Sequence, residues 1–147
     1  MFDVLSREWL ADFTPDFVCC IYPVTPLLKP IHIIDGFQQI KTNLYNYVFP
    51  AVRYSHPIQR AFLIDDKNAP KMFYPENRLV RTQDLTETYH DAGQFYWGKY
   101  NAWKQKLSML DKDTLVMKFR AHDFIDVDNV EDLSLINYFG SFDDFSR

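Results

Sequence analysis

The sequence contains few of the residues on which several classes of protein depend. Of its 147 residues, four are glycine, and none of these lies in a glycine-rich basic run, so no Walker or dinucleotide-binding fingerprint is present. Two are cysteine, Cys19 and Cys20, which are adjacent within an apolar run. Because neighbouring residues on a strand point to opposite faces, we expect no disulfide between them and predict a reduced, cytoplasmic protein.

Two further features are absent, an excess of charge of one sign and a long apolar run. The net charge is −4 with both signs interspersed, which argues against a broad nucleic-acid-binding surface. No apolar run approaches the length of a membrane span, so we expect no membrane partner. The sequence is nevertheless 47% hydrophobic and 17% aromatic, which predicts a folded chain. Its length is that of one domain, spanning residues 1–147.

An alternation of strand and helix patterns indicates the fold class. Residues 17–22 form a nearly unbroken apolar run, typical of a strand covered on both faces in a parallel sheet. Pro30 can begin a helix, because its missing N–H has no partner in the first turn. Apolar residues then recur at helical spacing and predict one apolar face: Ile31, Ile34, Phe37, Ile40 and Leu44. Residues 47–53 read as the next strand, which completes a βαβ unit and predicts an α/β fold.

The remaining segments give weaker patterns. We predict a strand at residues 57–64, a turn at 65–68, a returning arm at 71–74, a helix at 97–107 and a strand at 115–119, with further helices at 1–12 and 130–142. Residues 74–88 show no sustained period, and an irregular segment of this length in a compact domain is often functional.

Residues 89–97 combine adjacent ionisable groups, one glycine and three aromatic residues. Gly93 lies where the polar half meets the apolar half, and a glycine inside a strand pattern usually marks a bulge or a close approach of the backbone. Residue types alone favour a core strand entered through a polar turn. The segment Arg81-Thr82-Gln83-Asp84-Leu85, a few residues upstream, favours a functional interpretation instead.

These two segments together resemble the acylneuraminate cytidylyltransferases, and the match is best to the branch that activates pseudaminic acid. Further matches follow the same order along the chain, at residues 18–23, 57–61, 72–77 and 126–132. Enzymes of this family join CTP to a nine-carbon acidic sugar, giving the CMP-sugar and pyrophosphate. The resemblance implies a partial doubly wound, Rossmann-like sheet of the nucleotide-diphospho-sugar transferase type, with a β-hairpin and loop insertion.

The resemblance also implies which residues contact the substrates: Tyr22, Thr25, Arg60, Arg81, Gln83, Asp84, Tyr89, Gly93, Gln94 and Tyr96. Arg81 is the best candidate for the sugar carboxylate, because its planar guanidinium can donate two parallel hydrogen bonds. At the turn of residues 23–26 the family has Pro-Thr-Ala-Pro or Pro-Thr-Ser-Pro, so Val24 replaces the first hydroxyl and Thr25 remains beside it.

Residue types alone leave an alternative for the arginines. Arg78 and Arg81 can pair with Glu76 and Asp84 on a solvated loop, without any ligand.

Asp126 and Asp128 resemble the metal-binding turn of the family. Their spacing puts both carboxylates on one face of an extended backbone, and Mg²⁺ often takes one or two carboxylates together with phosphate and water. In an alternative interpretation, Asn129 caps the following helix, with Asp132 three residues further on. Both can hold together.

In the resembling family, a strand and a loop rich in Gly, Arg and Lys precede the matched region, and that loop cradles the triphosphate. The match here is to the later part of such an enzyme. We therefore expect a truncated cytidylyltransferase-like domain that is incomplete or inactive alone, and either a homodimer or a partner chain that supplies the nucleotide loop. A non-catalytic sugar-binding or assembly module, or a decayed relic, remains the alternative.

Overall fold

A computed structural model of the chain describes residues 14–120 and Ser134. The helix predicted at residues 1–12, the metal-binding turn with Asp126 and Asp128, and all of the closing helix except Ser134 lie outside the described residues. These remain predictions.

The described chain alternates strands with two helices. In order, the elements are β1 (Phe17–Ile21), α1 (Pro30–Ile40), β2 (Tyr47–Arg53), β3 (Phe62–Ile64), β4 (Pro70–Met72), β5 (Tyr89–Asp91), β6 (Phe95–Lys99), α2 (Tyr100–Lys104) and β7 (Thr114–Phe119), with short 3-10 turns at Ile58–Arg60, Pro75–Asn77 and Thr82–Asp84. No helix within residues 14–120 is long and apolar enough to cross a membrane.

The main sheet is mixed, and β2 is its centre. Along one edge β2 pairs in parallel with β7, and along the other it pairs antiparallel first with β6 and then with β5. On its far side β6 pairs antiparallel with β1, from Phe17 opposite Lys99 to Ile21 opposite Phe95. The three strands β1, β2 and β7 therefore run in one direction, and β5 and β6 run against them. The α/β class is confirmed as a mixed α/β fold.

The expectation that β1 lies in a parallel ladder is wrong. The strand itself is confirmed, and α1 does connect β1 to β2, but β6 lies between these two strands. An apolar run predicts that both faces of a strand are covered, and it carries no information on the direction of the neighbour. The aromatic run of β6 fills the place that a parallel strand would take.

Helix α1 begins at Pro30 as predicted, but the side that it turns to the sheet is shifted from the predicted apolar face. Of the five residues in the predicted apolar face, Ile40 is buried and the Phe37 ring packs 5.1 Å from the Trp97 ring, whereas Ile31, Ile34 and Leu44 are exposed. Gly36 is the reason. A Cβ at this position would lie 2.8 Å from Cδ1 of Trp97, so the helix can lie close to the sheet only on its glycine side.

The opposite face of the sheet carries an aromatic cluster under α2. Tyr47 packs edge-on against Trp103 with ring centroids 4.9 Å apart, and Trp103 Nε1 donates to the Val18 carbonyl at 3.3 Å. The predicted helix at residues 97–107 is too long at its start, because Trp97 and Lys99 belong to β6. Their backbones pair with Cys19 and Phe17 of β1, and that ladder keeps them extended.

Strands β3 and β4 form the predicted hairpin apart from the main sheet. The turn after β3 is closed by Asp65, whose Oδ1 accepts from the backbone N–H groups of Lys67 and Ala69. The strand predicted at residues 57–64 is wrong in its first half, where Ile58–Arg60 forms a 3-10 turn. From that turn, the Arg60 guanidinium donates to the carbonyls of Arg78 and Val80, which ties the hairpin to the irregular loop.

Candidate functional site

Strands β5 and β6 form one line that is interrupted at residues 92–94. Gly93 has φ of 62°, in the left-handed region that favours glycine, and its N–H donates to Asp91 Oδ1 at 2.8 Å. The facing residue of β2 is Pro50, whose carbonyl accepts from the Ala92 N–H at 3.0 Å. Proline has no N–H to donate to a neighbouring strand, so it fits a central strand at a point where the pairing on one side is interrupted. Residues 92–94, called the bulge below, thus match one of the two predictions for Gly93, a bulge or a close approach of the backbone.

The bulge brings a buried tyrosine and a carboxylate together. Tyr96 is only 4% exposed, and its hydroxyl donates to Asp91 Oδ2 at 2.6 Å. Burial, and then the Asp91 carboxylate beside the hydroxyl, hold the pKa of Tyr96 above its usual range. The hydroxyl therefore stays protonated at neutral pH and remains a hydrogen-bond donor.

The turn after β1 lies against this bulge. The Tyr22 N–H donates to the Gln94 carbonyl at 2.9 Å, and the rings of Tyr22 and Tyr96 lie 5.3 Å apart. Thr25 closes the turn, with its hydroxyl 3.4 Å from the Tyr22 carbonyl. Gln94 is fully buried; its Nε2 donates to the Ala92 carbonyl, and its Oε1 has no partner among the described residues. Four of the predicted residues, Tyr22, Gly93, Gln94 and Tyr96, thus meet at one place.

Asp91 joins this group although sequence reasoning did not select it. A signal was present, because an Asp two residues before a glycine commonly accepts from the glycine N–H in a turn. Its neighbour His90 points elsewhere, with its ring 4.7 Å from that of Tyr54. Adjacent residues on a strand diverge in this way.

The residues predicted in the loop make contacts of their own, outside this group. Arg81 Nε donates to Asp84 Oδ2 at 2.7 Å, and the Arg81 side chain is 73% exposed, so this pair matches the solvated alternative read from the sequence. The Arg60 guanidinium is used on backbone carbonyls of the loop, as described above. Gln83 lines a small pocket of about 260 Å³ together with Thr82 and residues 85–88.

A second, larger pocket of about 820 Å³ adjoins the first, and the two share Arg53, Ser55 and Glu87. Arg53 Nη1 lies 2.7 Å from Glu87 Oε1, and the Tyr89 hydroxyl donates to Glu87 Oε2 at 3.0 Å. The hydrogen bond from Arg53 is the main cause that lowers the pKa of Glu87. Tyr89, a predicted residue, therefore faces the larger pocket, and sequence reasoning missed both Arg53 and Glu87.

Strand register relates this pocket to the bulge. Tyr89 lies opposite Arg53, and Asp91 lies opposite Ala51, in the antiparallel pairing of β5 with β2. Residues two apart on a strand share a face, and so do directly opposed residues. A row of side chains therefore runs along one face of the sheet, from Tyr96 and Asp91 at the bulge to Tyr89 and Arg53 at the pocket.

Residues 14–120 contain no group of three His, Cys, Asp or Glu side chains that could hold a metal ion. The predicted ligands Asp126 and Asp128 lie outside the described residues. Cys19 is poorly suited as a nucleophile, because burial raises the pKa of its thiol to about 12.

Known proteins with similar sequences share one class of chemistry in their names. The chain is 34% identical over 118 residues to pseudaminic acid cytidylyltransferase of Campylobacter jejuni, covering 80% of this chain and 51% of the relative. It is 32% identical over 104 residues to a Helicobacter pylori protein named pseudaminic acid cytidylyltransferase and UDP-2,4-diacetamido-2,4,6-trideoxy-beta-L-altropyranose hydrolase, covering 70% of this chain and 20% of that protein. To N-acylneuraminate cytidylyltransferase B of Danio rerio it is 28% identical over 99 residues, or 66% of this chain and 23% of that protein. No protein-family model matches the chain.

All of these relatives carry the name cytidylyltransferase, and the predicted resemblance to the acylneuraminate cytidylyltransferases is confirmed. Within that class, the relatives at 32–34% identity are pseudaminic acid cytidylyltransferases. The chain spans about half the length of the Campylobacter relatives that it matches.

Proposed function

We propose that this chain forms the acidic-sugar side of a pseudaminic acid cytidylyltransferase. In that reaction the anomeric hydroxyl of a nine-carbon acidic sugar attacks the α-phosphorus of CTP, and pyrophosphate leaves. The observation that carries the proposal is the meeting of the β1 turn with the β5–β6 bulge, because both come from segments by which the chain resembles this family. The similarity over 118 residues to the Campylobacter jejuni enzyme supports it.

Each polar residue of the proposed sugar side has a distinct part. The hydrogen bond to Asp91 holds the protonated Tyr96 hydroxyl at a fixed position, and the Tyr22 ring packs against the Tyr96 ring. Arg81 uses Nε for Asp84, and its two terminal nitrogens have no partner among the described residues, so they can donate to the sugar carboxylate. Gln83 faces the small pocket, where an amide can bind hydroxyl groups of the sugar.

We also propose the finer architecture and the metal. The mixed sheet would be the later part of a doubly wound, nucleotide-diphospho-sugar transferase type sheet, with β3, β4 and the following loop as its insertion. The parallel pair β2 and β7 and the helical connection from β1 to β2 support this. Asp126 and Asp128 would hold Mg²⁺, which would neutralise charge that develops on the phosphates.

The chain's 147 residues contain four glycines and no glycine-rich basic run that could surround a triphosphate with backbone N–H groups. We therefore propose that these residues bind the sugar, and that turnover requires a nucleotide loop contributed from outside them. A sugar-binding or assembly module without catalysis is the second candidate, which the absence of such a run favours.

The test is sugar binding measured by saturation-transfer NMR with pseudaminic acid and with N-acetylneuraminic acid. Arg81→Ala should weaken binding by about tenfold or more, because a charge-assisted hydrogen bond to the carboxylate is lost. Arg78→Ala is the matched control, since it removes the same charge from the same exposed loop. Equal effects of the two substitutions, or no binding by the unmodified chain, would contradict the proposal.

Turnover separates the two candidates. Pyrophosphate release from CTP, Mg²⁺ and sugar should be absent with these 147 residues alone. It should appear when the amino-terminal half of the Campylobacter jejuni relative is added as a separate chain. Release by the 147 residues alone would overturn the need for an added loop, and silence in both arms would favour the non-catalytic module.

We propose a homodimer formed through the hairpin. Phe62, Leu63, Ile64 and Phe73 are all more than half exposed, and a concentration of exposed apolar side chains of this kind marks an interface. Sedimentation should show concentration-dependent dimers that Phe73→Ser weakens. Leu110→Ser is the control, because it removes an exposed apolar side chain at a position far along the chain from the hairpin. A monomer at all concentrations would contradict the proposal.

A further inference from the structure

The larger pocket lies where two parallel strands of the sheet end. β2 ends at Arg53 and β7 ends at Phe119, and both of these residues line the pocket together with Lys118. In open α/β sheets, ligands bind at the carboxyl ends of the parallel strands. Its volume of about 820 Å³ is in the range of small-molecule sites, so it can take a ligand much larger than a bare ion.

One carboxylate in this pocket faces more than one cation. Glu87 accepts from Arg53 Nη1 at 2.7 Å and from the Tyr89 hydroxyl at 3.0 Å, which occupies both of its oxygens. Lys118 Nζ lies 5.0 Å from the centre of the Tyr89 ring and has no carboxylate partner within residues 14–120. The Nε and Nη2 atoms of Arg53 likewise have no hydrogen-bond partner in that range.

One carboxylate, that of Glu87, serves two cations, Arg53 and Lys118, so the group keeps an excess of positive charge. The Glu87 carboxylate fixes the guanidinium of Arg53, and the Tyr89 ring carries the Lys118 ammonium by a cation–π contact. Tyr89 touches both parts, because its hydroxyl binds Glu87 while its ring lies under Lys118. The pocket is therefore lined by two positioned hydrogen-bond donors, Arg53 and Lys118, and carries more positive than negative charge.

We propose that this pocket binds the anionic group, a phosphate or a carboxylate, of a sugar-sized or nucleotide-sized ligand between Lys118 and Arg53, with Glu87 as the counter-ion that orients Arg53. The choice of ligand class rests on the proposed function, but the residues proposed to bind the anion, Lys118 and Arg53, are not among those proposed to bind the sugar. Of those assigned to the sugar or to its recognition, only Tyr89 also belongs to this pocket. Lys118 and Arg53 suit the task because both donate charge-assisted hydrogen bonds, which are stronger than neutral ones.

The experiment is calorimetric titration of the 147-residue chain with inorganic pyrophosphate, CMP and N-acetylneuraminic acid. At least one of these three compounds should bind saturably. Lys118→Gln should weaken the binding of that compound about tenfold, because a charge-assisted contact is lost. Lys118→Arg should restore most of the affinity. Lys71→Gln is the matched control, because it removes the same charge from the exposed hairpin strand β4 and should change affinity little at about 0.15 M salt.

Glu87→Gln discriminates between a ligand site and a self-contained ion cluster. Glutamine keeps an oxygen for Arg53 but removes the competing charge, so anion binding should tighten several-fold. Pyrophosphate and CMP as the ligands would identify a phosphate site, and the sugar acid would identify a carboxylate site.

Each of three results would overturn the inference. The first is the absence of saturable binding of any probe up to about 10 mM, a concentration at which a millimolar ligand saturates. The second is an equal effect of Lys118→Gln and Lys71→Gln, and the third is weaker anion binding by Glu87→Gln. Arg81→Ala distinguishes this failure from that of the proposed function. It should leave pyrophosphate binding intact even where sugar binding is lost.

Discussion

The bulge between β5 and β6 and the loop of residues 74–88 both carry residues of the candidate site, but they hold them differently. At the bulge, Tyr96 is 4% exposed and its hydroxyl is bound to Asp91 at 2.6 Å. In the loop, Arg81 is 73% exposed and pairs with Asp84 three residues away. Hydrogen bonds in a buried setting are strong and hold one geometry, whereas exposed ion pairs contribute little. The bulge therefore defines the shape of the site, and the loop presents charges that can change partners.

The largest difference should appear when an apolar side chain is removed from each region. Phe95→Ala, at the buried end of the bulge, should destabilise the chain by about 3–5 kcal/mol through lost burial and a cavity. Leu79→Ala, in the loop, should cost within about 0.5 kcal/mol, because its side chain is already 86% exposed. Urea unfolding of both variants measures this, and similar midpoints would abolish the comparison.

Hydroxyl deletion should give an intermediate effect. Tyr96→Phe removes the donor to Asp91 Oδ2 and leaves a carboxylate oxygen without its partner, at a cost of about 1–3 kcal/mol. Tyr89→Phe removes a hydroxyl from Glu87, whose carboxylate keeps Arg53 as a partner, and it should cost less than Tyr96→Phe does. Thermal and urea unfolding would test the pair. A larger loss in Tyr89→Phe than in Tyr96→Phe would reverse the ranking of the two regions.

The smallest effect concerns the ion pair at the edge of the loop. Arg53, and then Tyr89, lower the pKa of Glu87 below its usual value of 4.5. A carboxyl with a lowered folded pKa contributes stability that is present above the unfolded value, and this contribution is lost as the pH falls through the folded value.

NMR titration of the Glu87 carboxyl carbon should therefore give a midpoint below 4.5, and Arg53→Met should raise it towards 4.5. Arg78→Met is the control, because it removes an arginine that forms no ion pair with Glu87. An unchanged midpoint in Arg53→Met would show that the pair does not persist in solution.

The parts that could be predicted from the sequence are those with local causes. Pro30 begins α1, because proline fits the first turn of a helix, and Asp65 closes the turn after β3 with its own side chain. Gly93 marks the bulge, since its φ of 62° favours glycine. The meeting of Tyr22, Gly93, Gln94 and Tyr96 followed from family resemblance, and no pattern of polarity or spacing would have found it.

By itself, the sequence determined where α1 begins, where the turn after β3 closes and where the bulge lies, because steric limits and hydrogen bonds within a few residues decide these features. Only the tertiary structure decided which elements are neighbours. It inserted β6 between β1 and β2, turned the Gly36 side of α1 to the sheet, and paired Arg53 with Glu87 across 34 residues. An apolar pattern predicts that one face of an element is covered but not which element covers it. A charged residue in the sequence likewise does not indicate its partner. Those choices depend on how distant segments pack, and this packing placed the pocket of Arg53 and Lys118 beside the bulge.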